Sequence, residues 1–364
     1  MSNVIIPQNE CFLLLEASSS GTTLYSFRND HSPNLIHDKT KLSFHGHRIS
    51  DYLVKDGAIK FYLTILTNPQ VEDHIIKSHC NKYHLSIHAT GGMRNAEDIH
   101  GTELVDDFYL KLSQSVLDHK NNISKNIPKE ISLVSAKTIT GQEEGYYAWL
   151  TLKNKKGSEC HSVIDLGGQT VQAANGTHQS SAYLGKDRAF NAIGDKDVEA
   201  CNNDQNQYNG IQCKKIIKTY LENNFDNTSM IIDHSQHCQT HAISSFYHYF
   251  HDLCESYLPY ITNNEVSIDS QILIKVENYC KNYKDEQSFN LAVVDYKKIT
   301  DEVCQYWGNW EGKQANFTKD LCFTGNYAYE LLTILNFTDT QEININNIDW
   351  SLGSVISTSE LLLI

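Results

Sequence analysis

"SVIDLGGQTVQ", residues 162–172, is the stretch on which the fold turns. Val163 and Ile164 read as a buried strand, the strand ends in an acid, Asp165, and Gly167 and Gly168 follow at once. Glycine loses more backbone freedom on folding than any other residue, so this pair gives up local stability. In return, backbone N–H groups can converge on an anion with no Cβ in the way. The same order occurs near the N-terminus. "FLLLEASSSGT" (12–22) runs from an apolar strand to Glu16 and then to Ser18, Ser19, Ser20, Gly21 and Thr22. Hydroxyls of Ser19, Ser20, Thr22 and Thr170 can add donors to the backbone amides. A carboxylate beside a bound phosphate is repelled unless Mg²⁺ or Ca²⁺ lies between them. Two acid-tipped turns, one in each half of the chain, therefore predict a grip on a polyphosphate and one metal across a cleft.

The bulk properties agree with two domains. A chain of 364 residues exceeds the usual size of a single core. A net charge of −14 argues against nucleic acid, whose phosphates call for clustered Lys and Arg. No apolar run reaches the roughly 18 residues of a membrane helix. The start, "MSNVIIPQNE", has no basic region followed by an apolar one, so the expectation is either a cytosolic protein or one whose signal peptide has been removed. Ten well-spaced cysteines without a CxxC pair point to disulfides and an oxidising compartment rather than zinc. Their pairing is not readable from spacing. The 17 histidines include no HExxH; His84 and His88 fall on a strand, and His234, His237 and His241 are loosely spaced, so zinc is not expected. Walker, nucleophile-elbow and Rossmann glycine motifs are absent from the sequence.

Along the chain, strands are expected at 11–15, 24–28, 58–65, 83–90, 130–136 and 162–166, with further ones at 178–185 and in "SMIIDHS". Helical spacing covers 103–119 and 186–201. From 242 onward the chain reads as mostly helical, through 253, at 267–283, 298–307 and 326–335, and at the C-terminus after a turn. Without a low-complexity linker, the halves are expected to pack with a cleft between them.

Four blocks, in order, carry a family resemblance: "EASSSGT" (16–22), "ATGGMR" (89–94), "TGQEEGYYAWLTL" (140–152) and "DLGGQTVQ" (165–172). They resemble the Asp-Ala-Gly-Ser-Ser, Ala-Thr-Ala-Gly-Met-Arg, Gly-Gln-Glu-Glu-Gly and Asp-Leu-Gly-Gly-Ala-Ser-Thr-Gln blocks of the ecto-nucleoside triphosphate diphosphohydrolases, or apyrases. Weaker matches follow in "AISSFYHYF" (242–250), "LCFTGNYAYELL" (321–332) and "IDWSLGSVI" (348–356), so the likeness spans 12–356. The resemblance implies an α/β, two-lobed fold of the actin, hexokinase and Hsp70 (RNase H-like) kind, with the active site in the interlobe cleft. It also returns the C-terminal helix to the first lobe. The expected lobes are 1–140 plus 346–364, and 141–345.

The implied chemistry is divalent-metal-dependent hydrolysis of nucleoside tri- and diphosphates such as ATP, ADP and UTP to monophosphate and phosphate. Attack by water on a terminal phosphorus depends on positioning and charge neutralisation. In the family the Glu before the glycine of the third block is the base, which is Glu144 here, with Glu143 a structural neighbour. Thr170, in place of the usual Ser, and Gln172 would hold the attacking water. Glu16 and Asp165 are the metal carboxylates, for Mg²⁺, Ca²⁺ or Mn²⁺; Glu16 departs from the family's Asp by one methylene, which puts the coordination in doubt. Phosphate donors are expected from Ser19, Ser20, Gly21, Thr22, Thr90, Gly91, Gly167 and Gly168. Arg94 reads equally as a phosphate ligand or a brace of its own loop and stays outside the site. Tyr247 and Tyr327 match positions near the family's base pocket. A soluble, monomeric, secreted or periplasmic protein is the resulting expectation. Its Asn-, Lys- and Ile-rich composition points to an AT-rich, bacterial genome. An exopolyphosphatase or sugar kinase of the same fold, or a non-catalytic nucleotide-binding protein, are the alternatives.

Overall fold

The computed structural model describes residues 9–19, 21–29, 35–122, 130–157, 160–194, 198–201, 209–225, 230, 238–257, 270–286, 288–307 and 315–361. The chain divides into two compact units, Met1–Gly157 with Trp350–Ile364, and Ser158–Asp349.

In the first unit, β1 (Glu10–Ala17) is the centre of a five-stranded sheet. It pairs antiparallel with β2 (Gly21–Asn29), which pairs antiparallel with β3 (Leu35–His45). On its other side β1 pairs in parallel with β4 (Lys82–Ala89), and β4 with β5 (Glu130–Thr138). Parallel neighbours need crossovers, here the helices α1 (Gly57–Ile65) and α2 (Pro69–Lys77), then α3 (Gly91–His100) and α4 (Thr102–Asn122). Leu13, Leu15, Ile87 and Met93 anchor the core. Residues 58–65, expected as a strand, form α1. Ala58, Phe61, Tyr62 and Ile65 are buried while Ile59, Lys60 and Leu63 are exposed, the spacing of an amphipathic helix and not of a strand.

Helix α5 (Gly141–Lys156) closes this unit. Thr140 caps it through a capping box: its side chain accepts from Glu143 N–H, and the Glu143 carboxylate accepts from Thr140 N–H. The C-terminal helix, called α12 here (Ser351–Leu361), lies against α5. Thr151, wholly buried, accepts from Gly353 N–H at 2.8 Å. A Cβ on Gly353 would stand 1.8 Å from the Tyr147 carbonyl oxygen, so only glycine allows this approach. The unit boundary accordingly falls after α5, not before it at residue 140, and the chain returns at Trp350.

The second unit repeats the plan. β6 (His161–Leu166), β7 (Val171–Ala174) and β8 (Gln179–Ala182) form an antiparallel meander, and β6 pairs in parallel with β9 (Gln239–Ser244). β9 pairs in parallel with β11 (Glu342–Asn346), and β10 (Ser288–Ala292) adds an antiparallel edge, giving the order β10-β11-β9-β6-β7-β8. The helices are α6 (Lys186–Ile193), α7 (Gly210–Asn224), α8 (Ser245–Asp252), α9 (Ser270–Glu286), α10 (Val293–Trp307) and α11 (Ala315–Ile334). Strands β10 and β11, and the second half of β9, lie inside the stretch expected from residue 242 onward to be mostly helical. Their Asn and Gln residues, poor strand formers, bond to one another: Asn344 donates to Asn290 at 2.6 Å, and Gln239 to Asn290 at 2.9 Å. The expected strand at "SMIIDHS", and His234 and His237, lie outside the described residues apart from Met230.

All ten cysteines pair: Cys11–Cys80 in the first unit, and Cys160–Cys238, Cys201–Cys213, Cys254–Cys280 and Cys304–Cys322 in the second. Among the described residues, no helix is long and apolar enough to cross a membrane.

Candidate active site

Each unit places its acid at the same point of its sheet. Glu16 stands next to last in β1, between Thr23 of β2 and His88 of β4. Asp165 stands next to last in β6, between Gln172 of β7 and Ile243 of β9. The turns beyond them are built differently.

In the first unit, Ser18 closes the hairpin by donating from both N–H and Oγ to the Gly21 carbonyl, at 2.8 and 3.1 Å. A Cβ on Gly21 would stand 2.8 Å from the Phe44 carbonyl oxygen, so glycine is required where β3 passes. The turn faces the start of α3, where a Cβ on Gly92 would come to 3.1 Å from Ser19 Cα. Thr90 precedes that helix and makes no side-chain cap. The first amides of α3, Gly91 and Gly92, have no backbone acceptor among the described residues, as expected of a helix N-terminus. Helix N-termini favour anions. Thr22 departs from expectation: its hydroxyl donates to the His47 carbonyl at 2.6 Å and its side chain is buried in β2. Its one proton is committed, which removes it as a phosphate donor. Ser20 lies outside the described residues.

In the second unit, the glycine turn is fastened to α6. Gly185, Lys186 and Asp187 donate their N–H groups to the carbonyls of Gln169, Gly167 and Gly168, at 3.0, 3.0 and 2.8 Å. A Cβ on Gly185 would come to 2.2 Å from the Gln169 carbonyl carbon, so this contact also demands glycine. In a trans peptide the N–H points opposite to the preceding C=O. Three successive carbonyls held by α6 therefore turn the N–H groups of residues 168, 169 and 170 to the other side. Successive N–H groups on one side form an anion-binding nest. Thr170 and Gln172 are buried beside it, Gln172 Nε2 donating to Thr170 Oγ1 at 2.6 Å.

Glu144 sits in the first turn of α5 and is 8% exposed. Arg94 of α3, also buried, donates through one guanidinium nitrogen to Glu144 Oε2 at 2.8 Å and through the other to the Ile139 carbonyl at 2.7 Å. Burial pushes the Glu144 carboxyl above its ordinary value, and Arg94 opposes that rise without cancelling it. Its neighbour is held for a different purpose. Burial raises the Glu143 carboxyl, but bonds from Lys137 at 2.6 Å and from Thr140 outweigh it and leave the group lowered. Arg94 is the residue the sequence reading left out, although its place in "ATGGMR", a turn beyond the paired glycines, was visible.

The two tyrosines do not offer open faces. Tyr327 is wholly buried, stacks on Phe323, and donates its hydroxyl to the Leu184 carbonyl at 2.8 Å. Tyr247 is 5% exposed in the same core, edge-on to His248 and His251. Both expected base-stacking roles give way to core packing.

The fold is shared with solved phosphatases at low identity. The Ppx/GppA phosphatase of Aquifex aeolicus matches with a TM-score of 0.57 at 12% identity, over 96% of this chain and 99% of that one. An exopolyphosphatase from Cytophaga hutchinsonii matches with 0.54 at 11%, over 96% and 98%. A nucleoside triphosphate hydrolase from Neospora caninum matches with 0.57 at 11%, over 95% and 92%. The protein thus has the two-lobed, actin-like α/β fold of these enzymes. At the level of sequence, residues 3–209 match the model of the GDA1/CD39 (nucleoside phosphatase) family, and the chain belongs to that family.

Proposed function

We propose that the protein hydrolyses the terminal phosphoanhydride of nucleoside tri- and diphosphates, with Glu144 as the base. The observation that carries this reading is the Arg94–Glu144 pair: a buried carboxylate at a helix N-terminus, fixed by a fork, while Glu143 beside it is spent on the cap. Glu144 takes a proton from water as the water oxygen bonds to the terminal phosphorus. The P–O bond to the bridging oxygen breaks, and the leaving oxygen departs with the shortened nucleotide. Thr170 and Gln172, already bonded to each other, orient the water. The amides of residues 168–170 and those opening α3 bind the phosphate oxygens.

Both families of phosphatase generally use divalent cations. The donor set suits a hard ion: each unit offers one carboxylate, Glu16 or Asp165, next to anion-binding amides. Among the described residues no three His, Cys, Asp or Glu side chains cluster, which fits an ion that keeps several waters. Glu16 and Asp165 would hold it, and its contribution when bound is to neutralise phosphate charge. The five disulfides support a secreted or periplasmic setting.

A second reading, hydrolysis of inorganic polyphosphate, is favoured by one observation: the two tyrosines expected to stack a base are in the core. Phosphate release from ATP, ADP, UTP and polyphosphate, with Mg²⁺, Ca²⁺, Mn²⁺ or EDTA, separates the two. Glu144→Gln should lose roughly 10²–10⁴-fold in rate with an unchanged circular dichroism spectrum. Wild-type rates in that variant, or full activity in EDTA, would reject the mechanism.

A further inference from the structure

A cleft of about 370 Å³ opens between the C-terminal parts of α7 and α11, far along the chain from either glycine turn. That volume is at the small end of the range of small-molecule sites, about 300–1,000 Å³. Its floor holds a carboxylate. Glu330 is 8% exposed and lines the cleft, yet it makes no hydrogen bond or ion pair among the described residues. Three lysines act on it from a distance, but none is committed to it. Lys214 and Lys297 both bond Asp301, and Lys218 pairs loosely with Glu222 at 3.8 Å on the exposed rim. Burial outweighs these lysines and holds the Glu330 carboxyl above its ordinary value.

The backbone adds to the negative field. Helix α11 ends in a left-handed cap at Asn336 (φ 65°), with Asn336 N–H on the Thr333 carbonyl and Phe337 N–H on the Leu332 carbonyl, both 3.0 Å. Helix α7 ends beside it, with Phe225 N–H on the Leu221 carbonyl at 2.7 Å. Each helix C-terminus carries a partial charge of about −0.5, which basic residues usually offset. Neither helix has a basic residue in its last turn. Leu221 and Phe225, from α7 and its end, and Ile334, one turn along α11 from Glu330, supply the apolar part of the lining.

We propose that this cleft binds a small organic ammonium, its amine on Glu330 and its hydrocarbon body against that apolar lining. A metal ion would instead want several oxygen ligands and no hydrocarbon surface. The acidic groups facing the amine are Glu330 and Glu222; the opposing cation at the rim is Lys218. Burial raises the Glu330 carboxyl and the ammonium pairs with its ionised form, so affinity rises as pH rises through that group's titration.

Titration calorimetry on the full chain tests this with phenethylamine, 3-phenylpropionate and CaCl₂ as probes. Phenethylamine should bind saturably, and more tightly at pH 8 than at pH 5. Glu330→Gln should weaken it by about tenfold or more, the scale of a charged hydrogen bond, and Ile334→Trp, which fills the cleft while keeping the Glu330 carboxylate, should abolish it. Phosphate release from ATP should be unchanged in both variants. Equal binding of 3-phenylpropionate, displacement of the amine by Ca²⁺, unaltered affinity in Glu330→Gln, or no saturable binding would each overturn the proposal.

Discussion

Arg94→Met removes the guanidinium that holds Glu144. At 2.8 Å and an effective dielectric of about 20, the Coulomb attraction lost is about 6 kcal/mol. Removing one partner of a buried pair costs about 3–5 kcal/mol in practice. Glu144 escapes this penalty by keeping its proton, so the loss appears as a rise in its pKa. At about 1.4 kcal/mol per unit, the rise is roughly two to three and a half units. The direction follows from the forces present: burial already raises the carboxyl and Arg94 opposes it. A base must be ionised to work, so the acid limb of kcat/KM against pH moves upward by about two units. Activity falls at neutral pH and recovers at alkaline pH. A group whose pKa is raised on folding stabilises below its unfolded value and loses that stabilisation as pH rises through the folded one. The variant should therefore lose more urea resistance at pH 8 than at pH 5. Arg94→Lys keeps the charge but loses the second arm to Ile139, and its shift should be smaller. A folded Arg94→Met enzyme whose acid limb coincides with the wild type would refute the assignment of Arg94 as a positioning residue.

Three further outcomes are expected. His88, 1% exposed and bonded to Ser354 at 2.8 Å and Ser135 at 3.2 Å, is lowered to about 4, first by burial and then by Lys137. Its neutral form stabilises the fold above pH 6.5, and about 3 kcal/mol is lost as pH falls to about 4; urea midpoints across that window should fall less in His88→Gln. Gly353→Ala should lower the thermal midpoint despite alanine's better helix propensity, because the new Cβ meets Tyr147's carbonyl oxygen and overpacking costs about 1–3 kcal/mol. A midpoint that rises would show that α5 and α12 do not touch. Thiol titration of the denatured, unreduced protein should detect no free cysteine, in line with ten paired residues, and all ten after reduction.

What was legible in the sequence was the part with strong local chemistry. The two strand–acid–turn echoes each opened an antiparallel hairpin followed by a parallel strand, since a glycine or serine turn after an apolar run has few other uses. Helix α1 was misread because "AIKFYLTI" is rich in β-branched and aromatic residues, although Ala58, Phe61, Tyr62 and Ile65 held helical spacing throughout. Strands β9, β10 and β11 were missed because "QTHAIS", "SFNLA" and "EININ" carry His and Asn where strands prefer β-branched side chains. Those polar groups are satisfied across the sheet, a tertiary effect with no local signature. Arg94's grip on Glu144 joins residues 50 apart, and Tyr327's burial depends on Leu184. Neither distance is written in local pattern.

The echo also conceals a difference that only the hydrogen bonds reveal. In the first unit the serine turn is closed on itself, and the amides opening α3 are left without backbone acceptors. In the second, the amides opening α6 are used up on the glycine turn, and the turn's own amides face away in their place. One half thus leaves a helix N-terminus without backbone acceptors among the described residues, and the other has a loop that a helix N-terminus fixes. This accounts for where glycine is strict. Gly92 needs to clear the neighbouring turn by only a few tenths of an ångström, whereas Gly185 has backbone atoms at 2.2–2.4 Å from where its Cβ would be.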